Sequence, residues 1–128
     1  MGALLALVAV TAAAAAAAPS SFQTPSHGIA CALQGATLRC DVRAPEHPAP
    51  RPESCDLDYG DSFVLRRHGR AHALCHGDTV LDPHARVLRY GRRWQRAGVT
   101  CTSRRSGLTC RNRSGHGFRL SRQVQRRF

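Results

Sequence analysis

The stretch Ile29-Ala30-Cys31-Ala32-Leu33-Gln34-Gly35-Ala36-Thr37-Leu38-Arg39-Cys40-Asp41-Val42 folds back on itself in one way that aligns its apolar residues. Ile29, Cys31 and Leu33 alternate onto one face of a strand, and Leu38, Cys40 and Val42 do the same. Turning the chain at Gly35-Ala36 places Leu33 opposite Leu38, Cys31 opposite Cys40 and Ile29 opposite Val42. With a two-residue loop, Cys31 and Cys40 meet at a non-hydrogen-bonded position. Cα atoms there lie about 4.5 Å apart, within reach of a disulfide.

A second unit of the same design follows. Gly28-Ile29-Ala30-Cys31 is echoed by Gly98-Val99-Thr100-Cys101, and Leu38-Arg39-Cys40 by Leu108-Thr109-Cys110. Ser106-Gly107 supplies turn chemistry, so the same fold-back sets Cys101 against Cys110. The six cysteines, Cys31, Cys40, Cys55, Cys75, Cys101 and Cys110, thus read as three disulfides. Cys55 and Cys75 pair by elimination, and an exchange between hairpins, such as Cys31 with Cys101, is the alternative. No C-x-x-C pair is present, which speaks against thioredoxin-like redox chemistry and against a zinc ribbon.

Between the hairpins, residues 43–54 hold Pro45, Pro48, Pro50 and Pro52 and read as a polyproline-like surface connector ending at Cys55. Ser62–Arg67 and Ala71–Cys75 read as another hairpin, turned at His68-Gly69-Arg70. Val80–Tyr90 reads as one or two short strands or an irregular stretch. Leu120, Val124 and Phe128 recur every fourth position, and Ser121 stands where it would cap a short C-terminal helical turn. The expected fold is therefore a small all-β domain of short, disulfide-stapled antiparallel hairpins with that helical turn at its end.

Ala3 to Ala18 is almost wholly Ala, Leu and Val. It has the layout of a secretory signal, and Ala15 and Ala17 are the small residues for cleavage after Ala17. No Arg or Lys precedes it. The expected organisation is a signal peptide over residues 1–17 and one secreted domain over 18–128, monomeric and without a transmembrane span. Large apolar residues are sparse in that domain, and disulfides compensate for a modest core.

The formal net charge is +11, and every basic residue among the nineteen is Arg. A GC-rich genome explains Arg in place of Lys but not its distribution. All eight acidic residues lie between Asp41 and Asp82, whereas the chain from Arg86 onward has no acid. A strongly cationic C-terminal third favours anionic partners such as cell-wall polymer, lipid headgroups or nucleic acid. The candidate anion-binding residues are Arg92, Arg93, Trp94, Arg96, Arg104, Arg105, Arg111 and Arg113. Trp94 either stacks on sugars or bases among the guanidiniums or packs in the core.

Catalytic signals are weak. His68, His72 and His76 are spaced by four, which would gather metal ligands on a helix, but Gly69 marks a turn and no metal site is expected. Gly115-His116-Gly117-Phe118 reads as a tight turn feeding Phe118 and Leu120 into the core, with His116 as a potential acid or base. No nucleophile elbow, H-E-x-x-H or P-loop occurs, and no cofactor is expected. A Ser121, His116 and Asp78 set has no spacing logic behind it.

The chain resembles an uncharacterised family of secreted actinobacterial cysteine-rich proteins, a domain of unknown function. The matching strings are Phe22-x-Thr24-Pro25-Ser26, Ile29-x-Cys31, Cys40-Asp41, and Cys55 through Asp58-Tyr59-Gly60. They continue with Cys75-x-Gly77-Asp78-Thr79, Tyr90-Gly91, Cys101 to Cys110, Asn112, and Gly115-His116-Gly117-Phe118 with Ser121. At His27-Gly28 this sequence departs from the Gly followed by Asn that the family would have. The resemblance implies an exported single domain with six bridged cysteines and brings no activity with it. The expected function is non-enzymatic association with anionic envelope or polymer surfaces through the Arg-rich third. A small secreted hydrolase or nuclease using His116 with Asp78, and a secreted inhibitor or partner-binding scaffold, are the alternatives.

Overall fold

The computed structural model describes residues 1–12 and 17–128. Ala15 of the expected cleavage motif lies outside the described residues. Residues 1–12 carry no regular secondary structure, and no described helix is long and apolar enough to cross a membrane.

Ten short strands form two five-stranded antiparallel sheets, and the protein is an all-β domain. The first sheet runs β1 (Ser21–Gln23), β2 (Ile29–Gln34), β3 (Thr37–Val42), β4 (Ser62–Leu65) and β5 (His72–Ala73). The second holds β6 (Arg93–Arg96), β7 (Val99–Arg104), β8 (Gly107–Asn112), β9 (Gly117–Leu120) and β10 (Gln125–Arg127). In both, spatial order follows chain order, so each sheet is a meander.

The register of β2 on β3 pairs Ile29 with Val42, Cys31 with Cys40 and Leu33 with Leu38, as the alternation requires. Gly35 takes a φ of 64° at the first central position of the two-residue turn, a backbone state that glycine enters without a Cβ penalty. Cys31–Cys40, Cys101–Cys110 and Cys55–Cys75 are bridged, with Cα separations of 4.1, 4.0 and 5.7 Å, and no cysteine is free. The short separations of the two hairpin bridges are those of narrow antiparallel pairs.

The echo between the two hairpins extends to the whole architecture. In the first sheet one rung reads Phe22, Cys31, Cys40, Phe63 and Ala73. The matching rung of the second reads Trp94, Cys101, Cys110 and Phe118. These rungs face each other: the Phe22 and Trp94 rings lie 5.1 Å apart and the Phe63 and Phe118 rings 6.2 Å apart. Two inner faces, each with a central disulfide flanked by aromatics, thus share one core. Aromatic pairs at such distances add about 0.5–1.5 kcal/mol beyond the area they bury.

The halves differ in what links their strands. Residues 43–61 join β3 to β4 and 66–71 join β4 to β5, while the second sheet uses only 113–116 and 121–124. The Cys55–Cys75 bridge ties the 43–61 link to the segment after β5, beside an isolated pairing of Asp58 with His76. The Pro-rich segment 43–54 holds no strand, and 80–90 is irregular apart from the bridge of Val87 to Gln23 at the free edge of β1.

The expected C-terminal helical turn is not formed. Ser121 and Val124 close a turn, with Ser121 N donating to Val124 O at 2.8 Å and Val124 N to Ser121 Oγ at 3.0 Å. The chain then returns along β9 as β10. Leu120 is fully buried and Val124 is 53% exposed, so the four-residue recurrence marks no common face.

Candidate anion-binding surface

The outer faces of the two sheets have opposite fates. On the first, the outward residues Gln23, Ala30, Arg39, Asp41 and Ser62 are buried, while Val64 is half-buried and His72 exposed toward the β5 edge. The segment following Cys75 lies over the buried ones. Gln23 Nε2 donates to the carbonyls of Pro83 and Ala85 at 3.1 and 2.8 Å. Arg39 is the centre of the pin. Its Nε and Nη2 grip Asp41 Oδ1 and Oδ2 at 2.9 and 3.0 Å, while Nη1 reaches Asp78 Oδ1 at 2.8 Å and Nη2 the Asp78 carbonyl at 3.1 Å. Thr79 Oγ1 and Val80 N complete the Asp41 carboxylate at 2.9 and 3.0 Å.

Burial opposes the charge on both ions of this pair, and the bonds between them outweigh it. Asp41 is held below the ordinary carboxylate value and Arg39 above the ordinary guanidinium value. His76 is fixed beside them. Its Nδ1 lies 2.6 Å from the Asp78 carbonyl and its Nε2 2.7 Å from Asp61 Oδ1. Both partners are acceptors, so the two bonds together favour the protonated ring. Burial works against that charge, but the bonds to Asp61 and Asp78 and the nearby carboxylates raise the His76 pKa overall. This polar network is a structural clamp with its hydrogen bonds made internally.

The second sheet's outer face has no such cover. One rung crosses all five strands as Arg93, Thr102, Thr109, Arg119 and Arg126. The next carries Gln95, Thr100 and Arg111. The arginines of these rungs are exposed and the threonines half-buried. No Asp or Glu occurs in this half of the chain, so no side-chain carboxylate from the sheet itself neutralises the row. Arg111 also lies over the Phe128 ring at 4.9 Å.

The expected anion-binding residues are therefore dispersed. Arg93 and Arg111 stand on the outer face. Arg104 and Arg105 occupy the β7–β8 turn at one end, where they line a cleft. Arg92 is exposed at the start of β6, beside the backbone bond of Ser103 N to Arg92 O. Arg96 donates to the Ala18 carbonyl at 2.9 Å, and Arg113 lies at the opposite end, its amide bonded to the Arg67 carbonyl. Trp94 packs inward at 2% exposure, with Nε1 donating to Pro19 O at 2.7 Å, and it offers no stacking face to a ligand. Arg119 and Arg126 were missed by sequence reasoning. Only the cross-strand register, with β10 as a strand, brings them onto the Arg93 rung.

The histidines are also separated. His68 bonds Ser114 Oγ, His72 is exposed on β5 and His76 belongs to the clamp. Among the described residues, no group of three or more His, Cys, Asp or Glu side chains is placed to hold a metal. Ser121, His116 and Asp78 have unrelated partners: Ser121 bonds Val124, Asp78 pairs with Arg39, and His116 Nδ1 donates to Phe128 O at 3.3 Å. Asn112 explains the turn between β8 and β9. Its Oδ1 accepts the amides of Ser114 and His116 at 3.0 Å each, and its Nδ2 donates to the carbonyls of Arg66 and Gly69 at 2.9 and 2.7 Å.

These features define a disulfide-stapled double β-meander with one covered and one open, arginine-bearing face. The chain belongs to DUF6636, a family of unknown function, whose profile matches residues 3–128. No curated protein and no solved structure matches the chain.

Proposed function

We propose that the protein is an exported, non-enzymatic binder of linear anionic envelope polymers, retained by the outer face of its second sheet. The observation that carries this reading is the uncovered Arg93, Thr102, Thr109, Arg119 and Arg126 rung, in a half of the chain without acid. Export is supported by the apolar Ala3–Ala18 run and by three closed disulfides. An actinobacterial source fits the Arg-only, Ala-rich composition. A base-free wall-type polymer, poly(glycerol phosphate), suits the face better than nucleic acid or lipid. The aromatic ring at the end of these rungs, Phe128, is half-buried beneath Arg111, which limits its use for base stacking, and no exposed large apolar side chain lies on the rungs for insertion into a bilayer.

The test is retention of the oxidised protein on immobilised poly(glycerol phosphate) across a salt series. With four arginines on the face, log K should fall with log salt at a slope of about −3. Replacing Arg93, Arg119 and Arg126 together by Gln should flatten the slope by about 2. A matched triple at Arg51, Arg66 and Arg70 should leave it unchanged. No retention at low salt, equal loss in both triples, or stronger retention on single-stranded DNA or anionic vesicles would overturn the reading.

A further inference from the structure

At one end of the molecule the two halves meet around a cleft of about 430 Å³. It draws Arg43 and the Thr24–Ile29 turn from the first half and Tyr90, Arg104, Arg105, Arg122 and Gln123 from the second. Four guanidiniums thus surround one concavity. Arg122 is paired with Glu46 at 2.8 Å, whereas Arg43, Arg104 and Arg105 have no carboxylate partner among the described residues. Like charges gathered in this way repel one another unless a counter-ion joins them.

The geometry points to a phosphomonoester of a small polyol or sugar as that counter-ion. Three unpaired guanidiniums leave a local charge near +3. A monoanionic diester or carboxylate neutralises one of these charges, and a phosphomonoester, with its second pKa at about 6, neutralises two. Arg105 is steadied by an aromatic neighbour, with its Cζ 5.1 Å over the Tyr90 ring. Stacking occupies the flat face of a guanidinium and leaves its N–H edge free for bidentate contact with phosphate oxygens. The Arg43 Nε makes a long, exposed contact of 3.4 Å to the His27 carbonyl at the opposite wall.

The remaining lining suits a hydroxylated ligand body. Ser26 is engaged within the turn, its Oγ accepting from Gly28 N and bonded to Thr24 Oγ1. The exposed Gln123 offers a donor and an acceptor at the rim. Arg104 shares the outward parity of Thr100 and Thr102 on β7, so the cleft opens where the arginine-bearing face ends. A phosphoryl terminus of an envelope polymer would seat here while its body crosses the sheet. The proposal rests on the polymer-binding reading for its biological setting only, since the cleft's charge and shape are independent of it.

The experiment is a titration of the ¹⁵N-labelled oxidised protein with glycerol 3-phosphate, followed by amide shifts. Saturable shifts should appear at Tyr90, Arg105 and Gly107, and affinity should rise as pH passes about 6, where the ester gains its second charge. A bis-glycerol phosphodiester should bind at least tenfold more weakly, and glycerol not at all. Arg104→Gln with Arg105→Gln should abolish binding, and Arg104→Lys with Arg105→Lys should restore part of it. The Arg93, Arg119 and Arg126 triple should bind the ester normally.

Shifts spread over all exposed arginines, no preference over the diester, or full binding by the Gln pair would overturn the proposal. Polymer retained through the outer face without ester binding would overturn the cleft alone and leave the polymer reading intact. Ester binding without polymer retention would do the reverse.

Discussion

Replacing Arg39 by Met tests whether the covered face of the first sheet is held by charge. Methionine keeps an unbranched apolar stem and deletes the guanidinium. Arg39 and Asp41 are 3% and 1% exposed in their side chains, so the change strands a buried carboxylate. Breaking such a pair from one side costs about 3–5 kcal/mol. Thr79 Oγ1 and Val80 N stay on Asp41, which places the expected loss near the low end, about 3 kcal/mol. Within a total stability of about 5–15 kcal/mol that is a large share, and the melting temperature should fall on the order of 12 °C or more.

Trp94, buried and the only tryptophan, reports global unfolding by fluorescence in urea. Trypsin reports the cover separately, because Arg86 and Arg89 lie in the segment that Arg39 pins through Asp78. Cleavage there should accelerate in the variant before global unfolding. Adding Asp41→Leu should recover at least ~1 kcal/mol by removing the stranded charge. In the single variant the deficit should also shrink in acid, where the unpaired Asp41 takes up a proton. A loss below ~1 kcal/mol with unchanged trypsin cleavage would show that packing, not the ion pair, holds the segment.

Two further outcomes follow from other buried groups. Ser103 Oγ is fully buried with no hydrogen-bond partner, opposite Leu108 in the register, so Ser103→Ala should stabilise the protein by about 1 kcal/mol in urea unfolding. The His76–Asp61 bond has its own pH window. Because folding raises the His76 pKa, its contribution is complete below the ordinary value of 6.5 and disappears as pH rises through the raised value. His76→Gln should therefore cost about 1–2 kcal/mol at pH 5.5 and clearly less at pH 9, measured by urea unfolding at each pH. An equal cost at both would assign His76 a packing role only.

The hairpins were legible because their information is local. Ile29 to Val42 contains both strands, the turn and the bridge, and a single register satisfies every apolar pair. The likeness of residues 98–110 was legible for the same reason. The wider duplication was hidden, because Phe63 follows Cys40 only after the long 43–61 link, whereas Phe118 follows Cys110 almost directly. Unequal links remove the constant period by which a repeat is recognised. Arg39 and Asp41 looked like ordinary solvent-facing alternation. Their partners, Asp78 and Thr79, arrive from a loop far along the chain, and burial of an outer face leaves no mark on the strand itself. Trp94 was ambiguous amid arginines, although strand parity with Cys101 places it inward. The C-terminal recurrence of four misled because a three-residue edge strand is too short to display alternation.

What covers each outer face also bears on where the charge sits. Two meanders bury equivalent inner faces against each other, and each then has an outer face to satisfy. In the first half the segment after Cys75 lies over the sheet and brings Asp78, and the outward Gln23, Arg39, Asp41 and Ser62 find internal partners, while His72 stays exposed. The second half has short links and no lid, so its outer residues must remain soluble unaided, a requirement that arginine and threonine meet. Solubility alone would be met as well by mixed signs, which also avoid the self-repulsion of a row of like charges. An acid-free row is therefore a cost to the free protein that a bound polyanion would relieve, as the proposed function requires, and the open face is the part of the fold on which selection for binding could act without disturbing the core.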